Sequence, residues 1–156
     1  MKKKSAPDGS LEALYGRPAF MIRRAHQIAT AVFTQSCAKL DLTLSQYSIL
    51  FTLHHRGPVS QNELGRLVSL DRSTTGFVVG ILKGRKLLTT SADPGDKRKT
   101  VVALTDAGRL LLASAERLNT QASQELLSAF DERQAQTFIK LLEKLTSSPK
   151  GAETQS

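Results

Sequence analysis

Apolar residues return along most of this chain at the three-and-four spacing of a helix, and one stretch breaks that habit. From about residue 17 to residue 40, Phe20, Ile28, Val32 and Leu40 lie in register with Ser36, flanked by Met21, Ala25, Ala29, Phe33 and Cys37. Pro18 suits a first helical turn. The pattern predicts one long helix with an apolar stripe wide enough for two neighbours. Thr43-Leu-Ser-Gln46 reads as a capping box. It opens a second helix with Tyr47, Leu50, Phe51 and His54 on one side, which Gly57-Pro58 stops. Ser60-Gln-Asn-Glu63 is another such box, before a short third helix with Leu64, Leu67 and Val68 inward. Asp71 caps a fourth helix, which runs to about residue 85 with Thr74, Val78, Ile81 and Leu82 inward.

The period then changes. Residues 87–92 and 100–104 are β-compatible, and the loop between them holds Pro94-Gly95 and Lys97-Arg98-Lys99, so the unit reads as a hairpin. Thr105 caps a long fifth helix, with apolar Leu111, Ala115, Leu118, Ala122, Leu126 and Phe130. Asp131-Glu-Arg-Gln134 starts a sixth, with Ala135, Phe138, Leu142 and Leu145 inward. Residues 1–10 and 147–156 lack periodicity and are expected to be disordered tails, leaving one domain over 11–146. The two terminal helical regions, 11–42 and 106–146, carry more apolar surface than a small core can cover. A second copy related by a two-fold axis is the simplest cover. The expected fold is mainly α with a small β-wing: a winged helix-turn-helix of six helices in a homodimer.

Two short capped helices joined tightly through Val68-Ser-Leu70 fit a helix-turn-helix, whose second helix enters a major groove. Rotating about 100° per residue places Arg72, Gly76, Val79, Gly80 and Lys83 opposite the core, with Ser73 and Thr75 at the border. Gly76 and Gly80 each disfavour a helix by roughly 0.8–1 kcal/mol relative to Ala. They read either as tolerated exposed glycines or as close backbone approach to bases. In the hairpin, Asp96 is placed to pair with Arg98 and hold its guanidinium outward, where a narrow minor groove attracts arginine. The candidate DNA contacts are Ser60, Gln61, Arg72, Ser73, Thr74, Thr75, Gly76, Lys83, Lys97, Arg98 and Lys99.

Charge sharpens this picture. The net charge is +8 over 156 residues, and residues 56–100 hold nine Lys or Arg against four Asp or Glu, while 106–156 are slightly acidic. That suits a polyanion-binding middle segment, 43–105. No apolar run approaches the about 18 residues of a membrane span, no apolar segment follows Met1-Lys-Lys-Lys4, and the single Cys37 forms no internal disulfide. A cytoplasmic protein is expected. No phosphate loop, nucleophile elbow or carboxylate pair appears, so no enzyme and no cofactor is expected. His26, His54 and His55 lack metal-ligand spacing.

With Asp71-Arg-Ser-Thr74, Asp93-Pro-Gly-Asp-Lys-Arg98 and Leu104-Thr-Asp-Ala-Gly108 in this order, the chain resembles the MarR family of bacterial transcriptional regulators over about residues 17–145. The resemblance implies a homodimer on a palindromic operator, commonly a repressor released by a small molecule, with Arg98 as the wing-tip arginine and Asp96 as its positioning partner. Lys86, Thr90 and Ser91 depart from the family pattern, as does Gly76-Phe77 where a basic residue is common. Those departures bear on which bases are read. Residues 16–27 resemble the first helix of MarR-type regulators of aromatic-acid catabolism, which implies an aromatic carboxylate or its CoA thioester as effector, held between the first, second and fifth helices.

Arg17, Phe20, Met21 and Arg24 share one helix face. Arg24 on an apolar stripe needs a partner, either an acidic residue in a salt bridge or a ligand carboxylate. The effector candidates are Arg17, Phe20, Arg24, His26 and Tyr47. Two alternatives stand beside this reading: peroxide sensing through Cys37, which sits among apolar neighbours where a thiol is inert, and non-specific architectural DNA binding, which charge alone supports.

Overall fold

The computed structural model describes residues 11–147, so the tails expected at 1–10 and 147–156 lie outside the described residues, Ser147 excepted, which caps the last helix. The chain runs α1 (Glu12–Tyr15), α2 (Pro18–Ser36), a 3₁₀ turn (Ala38–Leu40), α3 (Leu44–Arg56), β1 (Val59–Ser60), α4 (Gln61–Leu67), α5 (Arg72–Gly84), β2 (Leu88–Ala92), β3 (Thr100–Leu104), α6 (Asp106–Leu126) and α7 (Glu132–Thr146). The mainly helical architecture with a small wing is the one expected. The described residues hold seven α-helices rather than six. The extra one precedes Arg17, whose extended backbone (ψ 122°) is what a residue before proline prefers. The long first helix also ends four residues early, at Ser36, because Asp41 adopts a left-handed conformation (φ 47°) that turns the chain into α3.

The hairpin is a three-stranded antiparallel sheet of order β1-β3-β2. Leu88 pairs with Leu104 and Ala92 with Thr100, while Val59 pairs with Val102. A two-residue strand is too short to show alternation, which is why β1 reads only as a helix stop followed by a cap.

The core is built from Ile49, Leu50 and Leu53 of α3, Leu64 of α4, Val78, Val79 and Leu82 of α5, Leu88 and Val102 of the sheet, and Leu112 and Ala115 of α6, closed by Phe33 and Cys37 from α2. Several helix faces are rotated from expectation. In α3, Ile49 and Leu53 are buried while Phe51 and His54 face outward. In α4, Leu67 is exposed. In α5, Thr75 and Val79 are buried and Ile81 is exposed, so the helix has turned away from the face its apolar count favours. The cause sits in α4. A Cβ at Gly65 would lie 2.7 Å from Thr75 Oγ1 and 3.1 Å from the Leu70 carbonyl oxygen. The missing side chain lets α5 seat Thr75 against α4, with its hydroxyl donating to the Asp71 carbonyl at 2.7 Å.

The terminal helices are less covered. Ile28, on the expected stripe of α2, is 53 % exposed, as are large parts of Met21 and Ile22. Helix α7 has no buried residue; Phe138 and Leu142 are half-buried, while Ile139, Leu141 and Leu145 are exposed. Among the described residues no helix is long and apolar enough to cross a membrane.

Candidate nucleic-acid interface

Helix α4 begins where Ser60 Oγ accepts from the Glu63 amide at 3.2 Å. The cap is one-sided: Glu63 lies 3.8 Å from Arg56 instead of returning to the Ser60 backbone. The turn into α5 is closed by the Leu70 amide donating to the Gly65 carbonyl at 2.9 Å. Asp71 then caps α5, accepting from the Thr74 amide at 2.8 Å and the Thr74 hydroxyl at 2.6 Å. Those bonds favour its charged form and hold the carboxyl below the usual carboxylate range. The acid at the start of the recognition helix therefore has its lone pairs turned to the helix rather than to a ligand.

This sorts the candidates from the sequence. Arg72, Ser73 and Lys83 are exposed on α5. Thr74 faces its cap. Gln61 lies over Gly76, where a Cβ would be 3.3 Å from Gln61 Nε2. Thr75 is the correction: it is 1 % exposed and bonded to backbone carbonyls, so it has no access to DNA. Val79, expected on the outer face, is in the core. Their places are taken by Phe77, noted from the sequence as a departure from the family pattern but not as a DNA contact, which is 70 % exposed at the middle of α5. The available signal was its position between two glycines in a helix with no other aromatic residue.

The wing tip is ordered from within. Asp93 Oδ1 accepts from the amides of Gly95 (2.7 Å) and Asp96 (2.9 Å), and backbone bonds join Asp93 to Lys99 and Lys99 to Asp96. Asp96 Oδ1 accepts from the Arg98 amide and from Arg98 Nε, each at 3.1 Å. The Arg98 side chain and amide depress the Asp96 carboxyl below its ordinary value. The Arg98 side chain nevertheless remains 91 % exposed. Both wing acids point into the loop, and Lys97, Arg98 and Lys99 point out of it.

The effector candidates fall into separate groups. Among the described residues Arg24 pairs with no acid, and it lies on an exposed face. Its guanidinium lies 4.9 Å from the centre of the Tyr15 ring, and Tyr15 meets Phe20 edge-on at 5.5 Å. Arg17 is exposed at the N-cap of α2. His26 lies along a groove on another side of α2, with Thr30 and Thr34. Tyr47 stands at the junction of α2, α3 and α6, between Phe33 at 5.2 Å and Phe51 at 5.8 Å. Its hydroxyl accepts from Asn119 Nδ2 at 3.2 Å, and burial, with Glu116 nearby, pushes its pKa up. Sequence reasoning missed Tyr15 and Asn119. Cys37 is fully buried, and burial pushes its thiol up, away from the reactive thiolate. Among the described residues no cluster of three His, Cys, Asp or Glu side chains converges on a metal position.

Comparison with known proteins places this arrangement among DNA-binding regulators. A sequence model described as the MarR family matches residues 42–100. The HTH-type transcriptional repressor NicR of Pseudomonas putida is 32 % identical, covering 97 % of this chain and 99 % of that protein. A structure of BpsR from Bordetella bronchiseptica, whose DNA binding is described as regulated by 6-hydroxynicotinic acid, superposes with a TM-score of 0.79 at 30 % identity, covering 85 % and 94 % of the two chains. The PcaV transcriptional regulator of Streptomyces coelicolor, in complex with its natural ligand, gives 0.76 at 26 % identity over 86 % and 95 %.

Proposed function

Since this chain belongs to the MarR family of transcriptional regulators, we propose that it is a repressor that sits on a palindromic operator as a homodimer and is released by a small aromatic carboxylate or its CoA thioester. The observation that carries the reading is the sorting of charge at the interface. Asp71, Asp93 and Asp96 are bonded to backbone and side-chain donors of their own loops, while Arg72, Lys83, Lys97, Arg98 and Lys99 are left outward. A surface with its anions bonded within their own loops and its cations facing out is built for phosphate.

Segment 43–105 is the DNA-binding part, and 11–42 with 106–146 form the dimer. The exposed apolar faces of α2 and α7 support that division, because a lone chain leaves Ile28, Ile139, Leu141 and Leu145 in water. Two α5 helices related by a two-fold axis meet half-sites about one helical turn apart. The working compartment is the cytoplasm.

For the effector, BpsR supplies a chemistry: an aromatic ring bearing a carboxylate. Arg24 with Tyr15 and Phe20 offers a guanidinium and two rings, Arg17 a second cation, and Tyr47 with Asn119 a polar pair at the α2–α3–α6 junction. Thr30 Oγ1 is buried with no hydrogen-bond partner among the described residues, an unmet donor a ligand oxygen satisfies. The test is a footprint of the protein on its own upstream DNA, titrated with 6-hydroxynicotinic acid and benzoate-type acids. Protection of one palindrome, lost on adding one of them, is the expected result. Uniform protection without a unique site, or protection unmoved by every acid at millimolar levels, overturns the repressor or the effector reading respectively.

A further inference from the structure

The outward face of α5 is more apolar than an interface for phosphate requires. The buried side is Thr75, Val78, Val79 and Leu82. Opposite it, at about 100° per residue, lie Ser73, Phe77, Gly80 and Gly84. A Cβ at Gly80 or Gly84 would meet nothing within 4 Å, so no other part of the described chain lies over this face there. From it rises one large side chain, Phe77, 70 % exposed. A benzene ring left in water forfeits the burial that would stabilise it, and a polar residue there disturbs no packing. Arg72 and Lys83 are exposed on one side of this face, about 120–140° around the helix from the ring, and α5 itself contains no acidic residue.

We propose that Phe77 is a specificity-determining residue that reads a thymine in each operator half-site by packing its ring on the C5 methyl group. The inference rests on the repressor reading above. A phenyl ring neither donates nor accepts a hydrogen bond, so it discriminates between bases only through apolar contact. On the major-groove edge the thymine methyl is the apolar group displayed; guanine, cytosine and adenine present donors and acceptors. The small residues around Phe77 let the helix enter the groove with the ring foremost, and the exposed Arg72 and Lys83 leave cations on one side of the helix for phosphate. The same face explains how a recognition helix with Gly76-Phe77 at its centre reads sequence without a basic side chain there.

The experiment uses the duplex that the wild-type dimer selects from a random pool. Each thymine of a half-site is replaced in turn by deoxyuridine, which removes only the methyl group. One position is expected to lower wild-type affinity by about fourfold, the factor that follows from about 0.8 kcal/mol for one buried methyl-sized group. Phe77→Ala, which removes both rings of the dimer, should bind the parent duplex about sixteenfold more weakly, the fourfold factor taken once for each half-site, show no further loss at that uracil, and keep wild-type affinity for non-specific DNA. Phe77→Leu should recover part of the uracil sensitivity. Equal wild-type affinity for every uracil-substituted duplex overturns the proposal, and so does an unchanged uracil penalty in Phe77→Ala. Loss of the dimer in Phe77→Ala also overturns it and assigns the face to a protein contact. A wild-type protein that selects no sequence from the pool removes the repressor reading itself.

Discussion

Arg85 ties the recognition helix to the end of the α2 arm: its Nη2 donates to the Leu40 carbonyl oxygen at 2.9 Å, and its Nη1 to that of Asp41. Arg85 is the C-cap of α5, and Leu40 closes the 3₁₀ turn that follows α2. One side chain thus joins the segment proposed to meet DNA to the segment proposed to form the dimer. Its guanidinium satisfies carbonyls that the end of a helical segment leaves without intrahelical partners.

Arg85→Ala should lower stability by about 1 kcal/mol, below the about 1.5–3 kcal/mol of bonds from a charged donor because the site is partly exposed. Chemical denaturation measures that. The larger expected change is in regulation. Without the strut, the ratio of operator affinities with and without effector should shrink toward one, read from binding isotherms in both conditions. A full-sized ratio in Arg85→Ala would free the link of any part in release.

Arg98→Ala should weaken operator binding about tenfold or more while the dimer stays folded, as expected for loss of a groove-inserted arginine. Binding titrations together with thermal unfolding check both halves, and wild-type affinity in the variant takes the wing out of the mechanism.

The pH dependence of the wing follows from Asp96. Its carboxyl is depressed in the folded loop by the bonds from Arg98. A depressed carboxylate contributes above its ordinary pKa, about 4, and loses that contribution as pH falls through the lower folded value. Operator affinity should therefore be flat with respect to this pair around neutrality. Asp96→Asn should weaken binding less than Arg98→Ala, since the amide oxygen still accepts one bond. A steep change near neutrality that disappears in Asp96→Asn would contradict the assignment.

Gly108→Ala should destabilise the fold by about 1–3 kcal/mol, the range for a forced overpacking. A Cβ there would fall on the Leu87 carbonyl oxygen and within 2.6 Å of Leu104 Cδ1. The glycine lets α6 start hard against the sheet, where Thr105 Oγ1 accepts from the Gly108 amide at 3.0 Å and donates to the Leu87 carbonyl at 2.9 Å. The fall in denaturation midpoint measures it, and a variant as stable as wild type would show that the strand end gives way freely.

Ile139→Glu should shift the protein from dimer to monomer in sedimentation. Ile139 is 42 % exposed on α7, and a carboxylate in a covered apolar face is costly without a partner. An unshifted dimer places the interface elsewhere.

The residues that carry local signals were legible in the sequence. Thr43, Asp71, Thr105 and Asp131 each accept from the amide three residues on, as expected of N-caps, and Thr43–Gln46 and Asp131–Gln134 are full boxes. The turn chemistry of Asp93-Pro-Gly-Asp96 likewise shows in the order of residues. What stayed hidden depends on contacts across the chain. The rotation of α5 is set by Gly65 in another helix, so counting apolar residues placed Thr75 at the border of the outer face and Val79 on it, and left Phe77 off that face. The pair Tyr47–Asn119 joins residues 72 positions apart, and β1 exists only because β3 lies beside it. Arg24 was read as needing an acid or a ligand because ring faces such as Tyr15 leave no mark in a charge pattern.

The one cysteine gives the molecule a built-in stopwatch. Cys37 is the C-cap of α2, just before the 3₁₀ turn that Arg85 grips, and its sulfur is sealed off from solvent. An alkylating reagent reaches it only when a local or global opening uncovers it. The labelling rate, followed by mass, then counts those openings without a tag or a dye. Slower labelling with operator bound, and a change on adding a ligand, would put the breathing of that joint on a clock.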